Sequence, residues 1–223
     1  MALRWIMRLM DKVALSDKSY AFLFEPGPPD EVVSIDCETT GLDPRRDEII
    51  SVAAIKIRGD RILASETFQA VVRPRVAIGE AAIKVHGLRE IDVCNARPMS
   101  EILPDLLHFI GGRPLVGYYI DFDIAMLNNH VAEFIGIHLP NPRIEVSGIY
   151  YDRKYGDAPP GTQVDLTFAN ILRDLNLPLF NQHDAYSDAL MTAMIYVGLK
   201  DYQARDIRIA RPRHQPGNDY HGM

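Results

Sequence analysis

The sequence predicts a mixed α/β fold, with a central sheet made of a three-stranded meander plus parallel strands and with helices on its faces. Three apolar, β-branched runs follow one another and are separated by polar turns, as in a meander. After them come a helical pattern, a short apolar run and three more helical patterns, which indicate further strands and covering helices. The 223 residues suit one compact domain with short extensions.

The individual elements follow from the local patterns. The meander strands are expected at residues 32–36, 49–57 and 62–72, with a turn at 58–61, and the next strand at 114–117. Apolar residues at helical spacing predict helices over 102–110, 124–134, 166–175 and 185–199. Asp165 is the expected N-cap of the third of these helices. In this arrangement the ends of the first and fourth strands come close to the last helix.

Domain boundaries are expected near residues 30 and 200. Residues 1–30 read as a helix-prone extension followed by a proline-rich linker, and residues 31–200 form the main domain. Residues 201–223 form a basic tail that is weakly ordered or held by a partner. Its arginines are Arg205, Arg208, Arg211 and Arg213.

Composition narrows the possible functions. The net charge of −6 disfavours a broad basic face for long duplexes, although bound cations can supply local positive charge for phosphates. No apolar run reaches the roughly 18 residues of a membrane span. The first ten residues are too short and too interrupted by arginine for a secretory signal. Two cysteines imply no disulfide framework, so a cytoplasmic location is expected.

Two carboxylates end the first predicted strand. Strand alternation places Asp36 and Glu38 on one face and Ile35 and Cys37 on the other. Neighbouring carboxylates repel and raise each other's pKa unless a cation lies between them. An isolated Asp-x-Glu pair is nevertheless more often a solvated strand end than a site.

Three further polar residues stand where helices begin. Asp123 and Asp188 could simply favour the positive end of their helices, and Asp121 could serve as the cap in place of Asp123. A lone histidine such as His183, just before a helix, is more often a surface or capping residue than a base. Taken singly, these residues therefore support no function.

Taken together, the motifs resemble the DEDDh exonucleases, the superfamily that includes the proofreading epsilon subunit of bacterial DNA polymerase III. Residues 35–42 read Ile-Asp-Cys-Glu-Thr-Thr-Gly-Leu, residues 115–123 end in Phe-Asp, and residues 183–188 keep the His-x4-Asp spacing of the histidine subgroup. The resemblance covers about residues 31–200 and implies the ribonuclease H-like exonuclease fold. Tyr118-Tyr119 stands where the family usually has His-Asn, and these rings could stack on bases or pack under the helix.

The resemblance implies a two-metal mechanism. Two Mg²⁺ or Mn²⁺ ions would be held by four carboxylates whose charge they balance, and His183 would take a proton from the attacking water. The products would be nucleoside 5′-monophosphates from single-stranded or frayed DNA 3′ ends. The implied metal ligands are Asp36, Glu38, Asp123 and Asp188. The implied substrate contacts are Thr39, Thr40, Gly41, Leu42, His86 and Phe122.

Other functions stay open at this stage. A 3′→5′ exoribonuclease of the same fold would carry the same motifs, because discrimination depends on contacts near the 2′-position. A module that binds a DNA polymerase or repair protein, with weak or lost nuclease activity, is a second alternative, although all five motif residues are intact. Residues 175–180 resemble a sliding-clamp peptide, but a structural loop is expected there. A phosphatase is a more distant alternative.

Overall fold

A computed structural model of the protein describes residues 10–211. Residues 1–9 and 212–223 lie outside the described part. The start of the predicted N-terminal helix and the end of the predicted basic tail, including Arg213, therefore lie outside it as well.

One five-stranded mixed sheet forms the centre of the fold, in the order β3-β2-β1-β4-β5. The first three strands are antiparallel, whereas β4 is parallel to both β1 and β5. The predicted α/β class with a meander plus parallel strands is confirmed. β5 was not predicted, because three residues are too few to show alternation. The strands are β1 Glu31–Thr39, β2 Ile49–Arg58, β3 Arg61–Val71, β4 Leu115–Gly117 and β5 Arg143–Glu145.

The helices include the four predicted from apolar spacing and three that were not predicted. They are α1 Glu80–His86, α2 Glu90–Val93, α3 Met99–Ile110, α4 Ile120–Ile135, α5 Val146–Tyr155, α6 Phe168–Asp174 and α7 Ala185–Ala204. The prediction that Asp165 caps α6 is wrong. Thr167 is the N-cap, and the Asp165 carboxylate instead accepts hydrogen bonds from the Thr167 backbone and hydroxyl.

The two faces of β1 are buried against different layers. Val33, Ile35 and Cys37 point into a core shared with α3 and α4. On the other face Val32 joins a second core with α5 and α7, and the Ser34 hydroxyl donates to the Ala189 carbonyl at 2.8 Å. This packing brings the start of α7 against the end of β1.

Chain segments outside residues 31–200 also enter the cores. A 3-10 helix, Lys18–Phe24, buries Tyr20, Leu23 and Phe24 in the first core. Near the other end, Ile209 is buried in the second core, and its N–H donates to the Arg153 carbonyl at 3.1 Å. No helix within residues 10–211 is long and apolar enough to cross a membrane.

Candidate active site

The end of β1 carries two carboxylates on the face that packs against α7. Because strand residues alternate, Asp36 and Glu38 share the side of Ser34, opposite the buried Cys37. Asp188 of α7 joins them, and the ligand atoms of all three carboxylates lie within 4.8 Å of one another. Asp36 and Glu38 therefore share one face of β1, as alternation predicted, and this face is directed towards α7.

The start of α7 sets the positions of Asp188 and His183. Asp184 is the N-cap, and its carboxylate accepts from the Ser187 backbone at 3.1 Å and from its hydroxyl at 2.8 Å. His183 is exposed and has a left-handed backbone, with φ of 65°. Its N–H donates to Asp188 Oδ2 at 2.9 Å, so the Asp188 carboxylate holds the His183 backbone in place.

Asp123 reaches the same strand end from the first turn of α4. Because β4 pairs only with Val33 and Ser34, the later N–H groups of β1 on that side need other partners, and Cys37 N–H donates to Asp123 Oδ1 at 2.9 Å. Asp121 differs from Asp123, since its exposed carboxylate pairs with Arg143 at 2.6 Å. Asp36, Glu38, Asp123 and Asp188 are called the acidic cluster below.

The pKa values of the cluster are raised, because its carboxyl groups are crowded together and poorly solvated. Burial, followed by the charges of Asp123 and Asp188, raises the pKa of Asp36 well above its ordinary value. Burial raises the pKa of Glu38 to about 7, with further contributions from Asp188 and Asp184. The pKa of Asp123 rises to about 8, because its burial outweighs its backbone hydrogen bonds. Near neutral pH these raised pKa values oppose full ionisation of the cluster, and a bound cation would favour it.

The donor set fits divalent metal ions. Asp188 Oδ1 is buried without a hydrogen-bond partner, and carboxylate oxygens are the ligands that Mg²⁺ and Mn²⁺ prefer. Within residues 10–211, no lysine or arginine forms an ion pair with any carboxylate of the cluster. The cluster can thus hold divalent metal, as the sequence predicted in outline.

The last residue of β1 and the fixed loop that follows it carry four of the predicted substrate contacts. Thr40 Oγ1 donates to Asp47 Oδ1 at 3.0 Å, and Thr39 Oγ1 donates to the Gly41 carbonyl at 2.6 Å. Any side chain at Gly41 would meet the Asp47 carboxylate, because a Cβ there would lie 2.5 Å from it. Leu42 is 86% exposed at the tip of this loop, where it is free to contact a ligand.

The two remaining predicted substrate contacts differ in their surroundings. His86 ends α1, its Nδ1 accepts from the Leu88 N–H at 3.0 Å, and its buried Nε2 has no hydrogen-bond partner. Burial lowers the His86 pKa, the Thr39 backbone opposes this fall, and the charge of His183 adds to it. His86 therefore lies beside the site, whereas Phe122 is partly buried and packs against the first core.

The two tyrosines that depart from the family pattern have separate roles. Tyr118 packs against Phe168, with ring centroids 4.9 Å apart, and its hydroxyl donates to the Leu166 carbonyl at 2.9 Å. Tyr119 is the N-cap of α4, has a left-handed φ of 56° and is 59% exposed. Only Tyr119 thus presents a ring that could stack on a base.

Two acidic residues of the site were missed in the sequence. Asp47 organises the loop after β1, and Asp184 caps α7 while its charge raises the pKa of Glu38. Asp184 could have been noticed because it is adjacent to His183. Asp47 lies seven residues beyond Thr40, and its hydrogen bond to that side chain leaves no sequence pattern.

Comparison with known proteins identifies the family. The model of the exonuclease family RNase_T matches residues 33–196, a range that contains every residue of the acidic cluster and His183. This range covers most of the chain.

Among relatives, the DNA polymerase III subunit epsilon of Aquifex aeolicus is 28% identical over 165 residues, covering 74% of this chain and 78% of that protein. A PolC-type DNA polymerase III of Thermotoga maritima is 27% identical over 169 residues, covering 74% of this chain. The chain spans only 11% of the length of the PolC-type relatives that head the comparison.

A solved structure of Exonuclease X in complex with 5′-overhanging duplex DNA superposes with a TM-score of 0.61 at 20% identity. The match covers 78% of this chain and 93% of that one, and at this identity it shows a shared fold. The predicted ribonuclease H-like fold and exonuclease class are both confirmed. The chain therefore belongs to the RNase_T exonuclease family.

Proposed function

We propose that this exonuclease hydrolyses single-stranded or frayed DNA in the 3′→5′ direction, releases nucleoside 5′-monophosphates and acts in proofreading or repair. The observation that carries the proposal is the acidic cluster, in which Asp36, Glu38 and Asp188 have ligand atoms within 4.8 Å of one another. Asp123 and His183 adjoin them. The names of the relatives support DNA over RNA.

We assign the cluster two Mg²⁺ or Mn²⁺ ions. When bound, such ions stabilise the charge that develops on the attacking and leaving oxygens of a phosphodiester. The partnerless Asp188 Oδ1 and the raised pKa values of Glu38 and Asp123 both support this assignment. These carboxylates lack any other cation within the described residues, and a shared metal would let all of them ionise near neutral pH.

His183 is assigned the general base. Two observations support this assignment: the exposed His183 donates its N–H to Asp188, and, although burial raises the pKa of Asp188, the charge of the imidazole opposes that rise. The imidazole would take a proton from the attacking water and pass it to solvent. The phosphate of the terminal nucleotide would face the cluster, where residues 39–42 and His86 would offer contacts to the nucleotide.

Partners are proposed from the relatives alone. The Aquifex relative is named as a polymerase subunit, and the PolC-type relatives carry the matching segment within a polymerase. A DNA polymerase or repair protein is therefore the proposed partner.

A cytoplasmic location is also proposed. The free thiols of Cys37 and Cys94 support it, because they suit a reducing compartment.

Direction and substrate are tested with 5′-labelled oligonucleotides. Single-stranded DNA, a matched duplex, a duplex with a mismatched 3′ end and single-stranded RNA are digested side by side. We expect a ladder of progressively shorter labelled products, fastest on single-stranded and mismatched DNA. Release of only short labelled products at the earliest times would contradict the direction, and faster RNA digestion would contradict the substrate.

The base assignment is tested with His183→Ala. We expect a loss of about 10²- to 10⁴-fold in turnover, which is the usual contribution of a general base. The variant should still bind metal, because the side chain is not assigned as a ligand. Titration calorimetry with Mn²⁺ measures this binding. A turnover close to that of the unmodified protein would remove His183 from this role.

A further inference from the structure

A groove of about 300 Å³ runs along the outer face of α4, which by helix geometry lies opposite the side chain of Asp123. It lies between that helix and the end of the loop that follows β1. We call it the strand groove, and its polar walls comprise Arg45, Asp121, Asn129, His138 and Arg143.

The groove and the acidic cluster both reach the start of α4. Asp121 of the groove and Asp123 of the cluster stand on its first turn, two residues apart and therefore on opposite sides of the helix. The opposite wall, Pro44 and Arg45, comes directly after the exposed Leu42, and Asn129 Nδ2 donates to the Pro44 carbonyl at 2.5 Å. From Asp121 to Asn129 the helix rises about 12 Å, enough for about two to three phosphates of an extended strand.

Charge in the groove favours an anion. Arg143 pairs with Asp121 at 2.6 Å, whereas the exposed side chain of Arg45 has no hydrogen bond or ion pair within residues 10–211. Two arginines thus face one carboxylate, and His138 adds a further exposed donor. This surplus is positive, although the whole chain has a net charge of −6.

A second cavity, of about 320 Å³, lacks such a surplus. Its wall contains Arg73 and Arg75, but also Glu48 and Glu133. Arg75 is paired with both carboxylates, at 2.7 Å to Glu48 and 3.6 Å to Glu133. Its charges are largely satisfied within the protein, so it offers a polyanion less than the strand groove does.

We propose that the strand groove binds internal phosphates of the substrate strand, upstream of the 3′-terminal nucleotide, with Arg45 as the main contact. The inference rests on the proposed exonuclease function, in which the terminal phosphate faces the acidic cluster. A strand that leaves the cluster and crosses the start of α4 would pass from four carboxylates to a groove lined by two arginines and one carboxylate. The groove thereby makes the enzyme prefer oligonucleotides to substrates of a single nucleotide.

The test compares two substrates and two neighbouring arginines. Arg45→Ala is the variant, and Arg46→Ala is the matched control, because Arg46 is also exposed, pairs with Asp43 at 3.7 Å and does not line the groove. One substrate is an oligothymidylate of about ten nucleotides, long enough to extend past the cluster. The other is the p-nitrophenyl ester of thymidine 5′-monophosphate, which has no upstream phosphate.

We expect Arg45→Ala to raise KM for the oligothymidylate about 5- to 10-fold and to reduce the salt slope of its kcat/KM by about one. Hydrolysis of the ester should change less than about twofold, and Arg46→Ala should leave both substrates near their original rates. Equal losses on both substrates, an unchanged KM for the oligothymidylate, or the same effect from Arg46→Ala would each overturn the proposal.

Direct binding separates this inference from the proposed function. Fluorescence anisotropy of a labelled oligothymidylate, measured in EDTA, requires no turnover. Weaker binding by Arg45→Ala than by Arg46→Ala would support the strand groove even in a protein that proves inactive. Equal binding by both variants and the unmodified chain would overturn the groove and leave the proposed function standing.

Discussion

Two glutamates, the buried Glu31 and the partly buried Glu38, stand near opposite ends of β1 and have opposite electrostatic surroundings. Glu31 begins the strand, where Arg58 and Arg113 each approach its carboxylate at 2.7 Å. These partners hold the pKa of Glu31 below its ordinary value despite burial. Burial raises the pKa of Glu38, near the other end, to about 7, and the charges of Asp188 and Asp184 add to this rise.

The two ends of β1 thus contribute differently: the Glu31 end stabilises the fold, and the Glu38 end forms the candidate site. Arg113 lies in the turn before β4 and Arg58 ends β2, so Glu31 ties three neighbouring segments together with its own internal cations. At the other end four carboxylates come together, and no lysine or arginine of residues 10–211 forms an ion pair with them. A folded protein can tolerate such repulsion between carboxylates where a bound cation offsets their negative charge.

The largest effect is expected from neutralising the acidic end. Asp36→Asn should lower turnover by at least about 10³-fold, because it removes a metal ligand at the centre of the cluster. In EDTA the same variant should melt no lower than the unmodified protein, since one repelling carboxylate is gone. Parallel turnover and melting measurements check both parts, and a lower melting temperature in EDTA would contradict the repulsion.

The opposite end should respond in the opposite way. Glu31→Gln is expected to cost about 3 kcal/mol of unfolding free energy, because it leaves two arginines around a lost charge. Turnover per folded molecule should remain within about twofold, as Glu31 is remote from the cluster along β1. Urea unfolding is the measurement. Glu66→Gln is the control, since it removes a more exposed pair with Lys56 and should cost less than about 1 kcal/mol.

Stability against pH should also distinguish the metal-free and metal-bound protein. The pKa values of Glu38 and Asp123 rise on folding, from 4.5 to about 7 and from 3.8 to about 8. The folded state therefore retains protons that the unfolded state has lost, so metal-free stability should fall as pH rises through this window.

The melting temperature in EDTA should accordingly drop between about pH 5 and pH 8, and Mg²⁺ should restore more of it at the higher pH. Thermal melts in matched buffers provide the measurement. A Mg²⁺ effect that shrinks as pH rises would be incompatible with the buried, protonated cluster.

The smallest effect is expected at Tyr118, which lies near the acidic end but acts structurally, as Glu31 does. Tyr118→Phe removes the hydrogen bond to the Leu166 carbonyl and should cost about 1 kcal/mol of unfolding free energy. Turnover on single-stranded DNA should be almost unchanged, because the ring still packs against Phe168. A large loss of turnover with normal stability would instead indicate a direct role for the hydroxyl.

Alternation and helical spacing predicted the parts of the fold that carry long patterns. The meander, the shared face of Asp36 and Glu38, and the helix of Asp188 follow from such patterns. The short β5 and α5 carry no readable period, and the 3-10 helix reads as an extension although it buries Tyr20 and Leu23. These elements are fixed by tertiary packing, which a single sequence does not display.

Within the site, the sequence predicted residue types better than their surroundings. Asp121 and Asp123 were ambiguous because both stand at a helix start. The structure separates them through a non-local contact, the Cys37 N–H left unpaired by the short β4. Within residues 10–211, the lack of a lysine or arginine paired with Glu38, and the presence of two arginines at Glu31, likewise depend on segments distant in the sequence.

The most direct test of the central claim is the metal requirement of the acidic end. The unmodified protein, Asp36→Asn and Glu31→Gln are assayed on 5′-labelled single-stranded DNA in EDTA and then after addition of Mg²⁺ or Mn²⁺. We expect no digestion in EDTA, full recovery with metal for the unmodified protein and Glu31→Gln, and almost none for Asp36→Asn. Sustained digestion in EDTA, or full activity of Asp36→Asn, would contradict the claim that this cluster works by holding divalent ions.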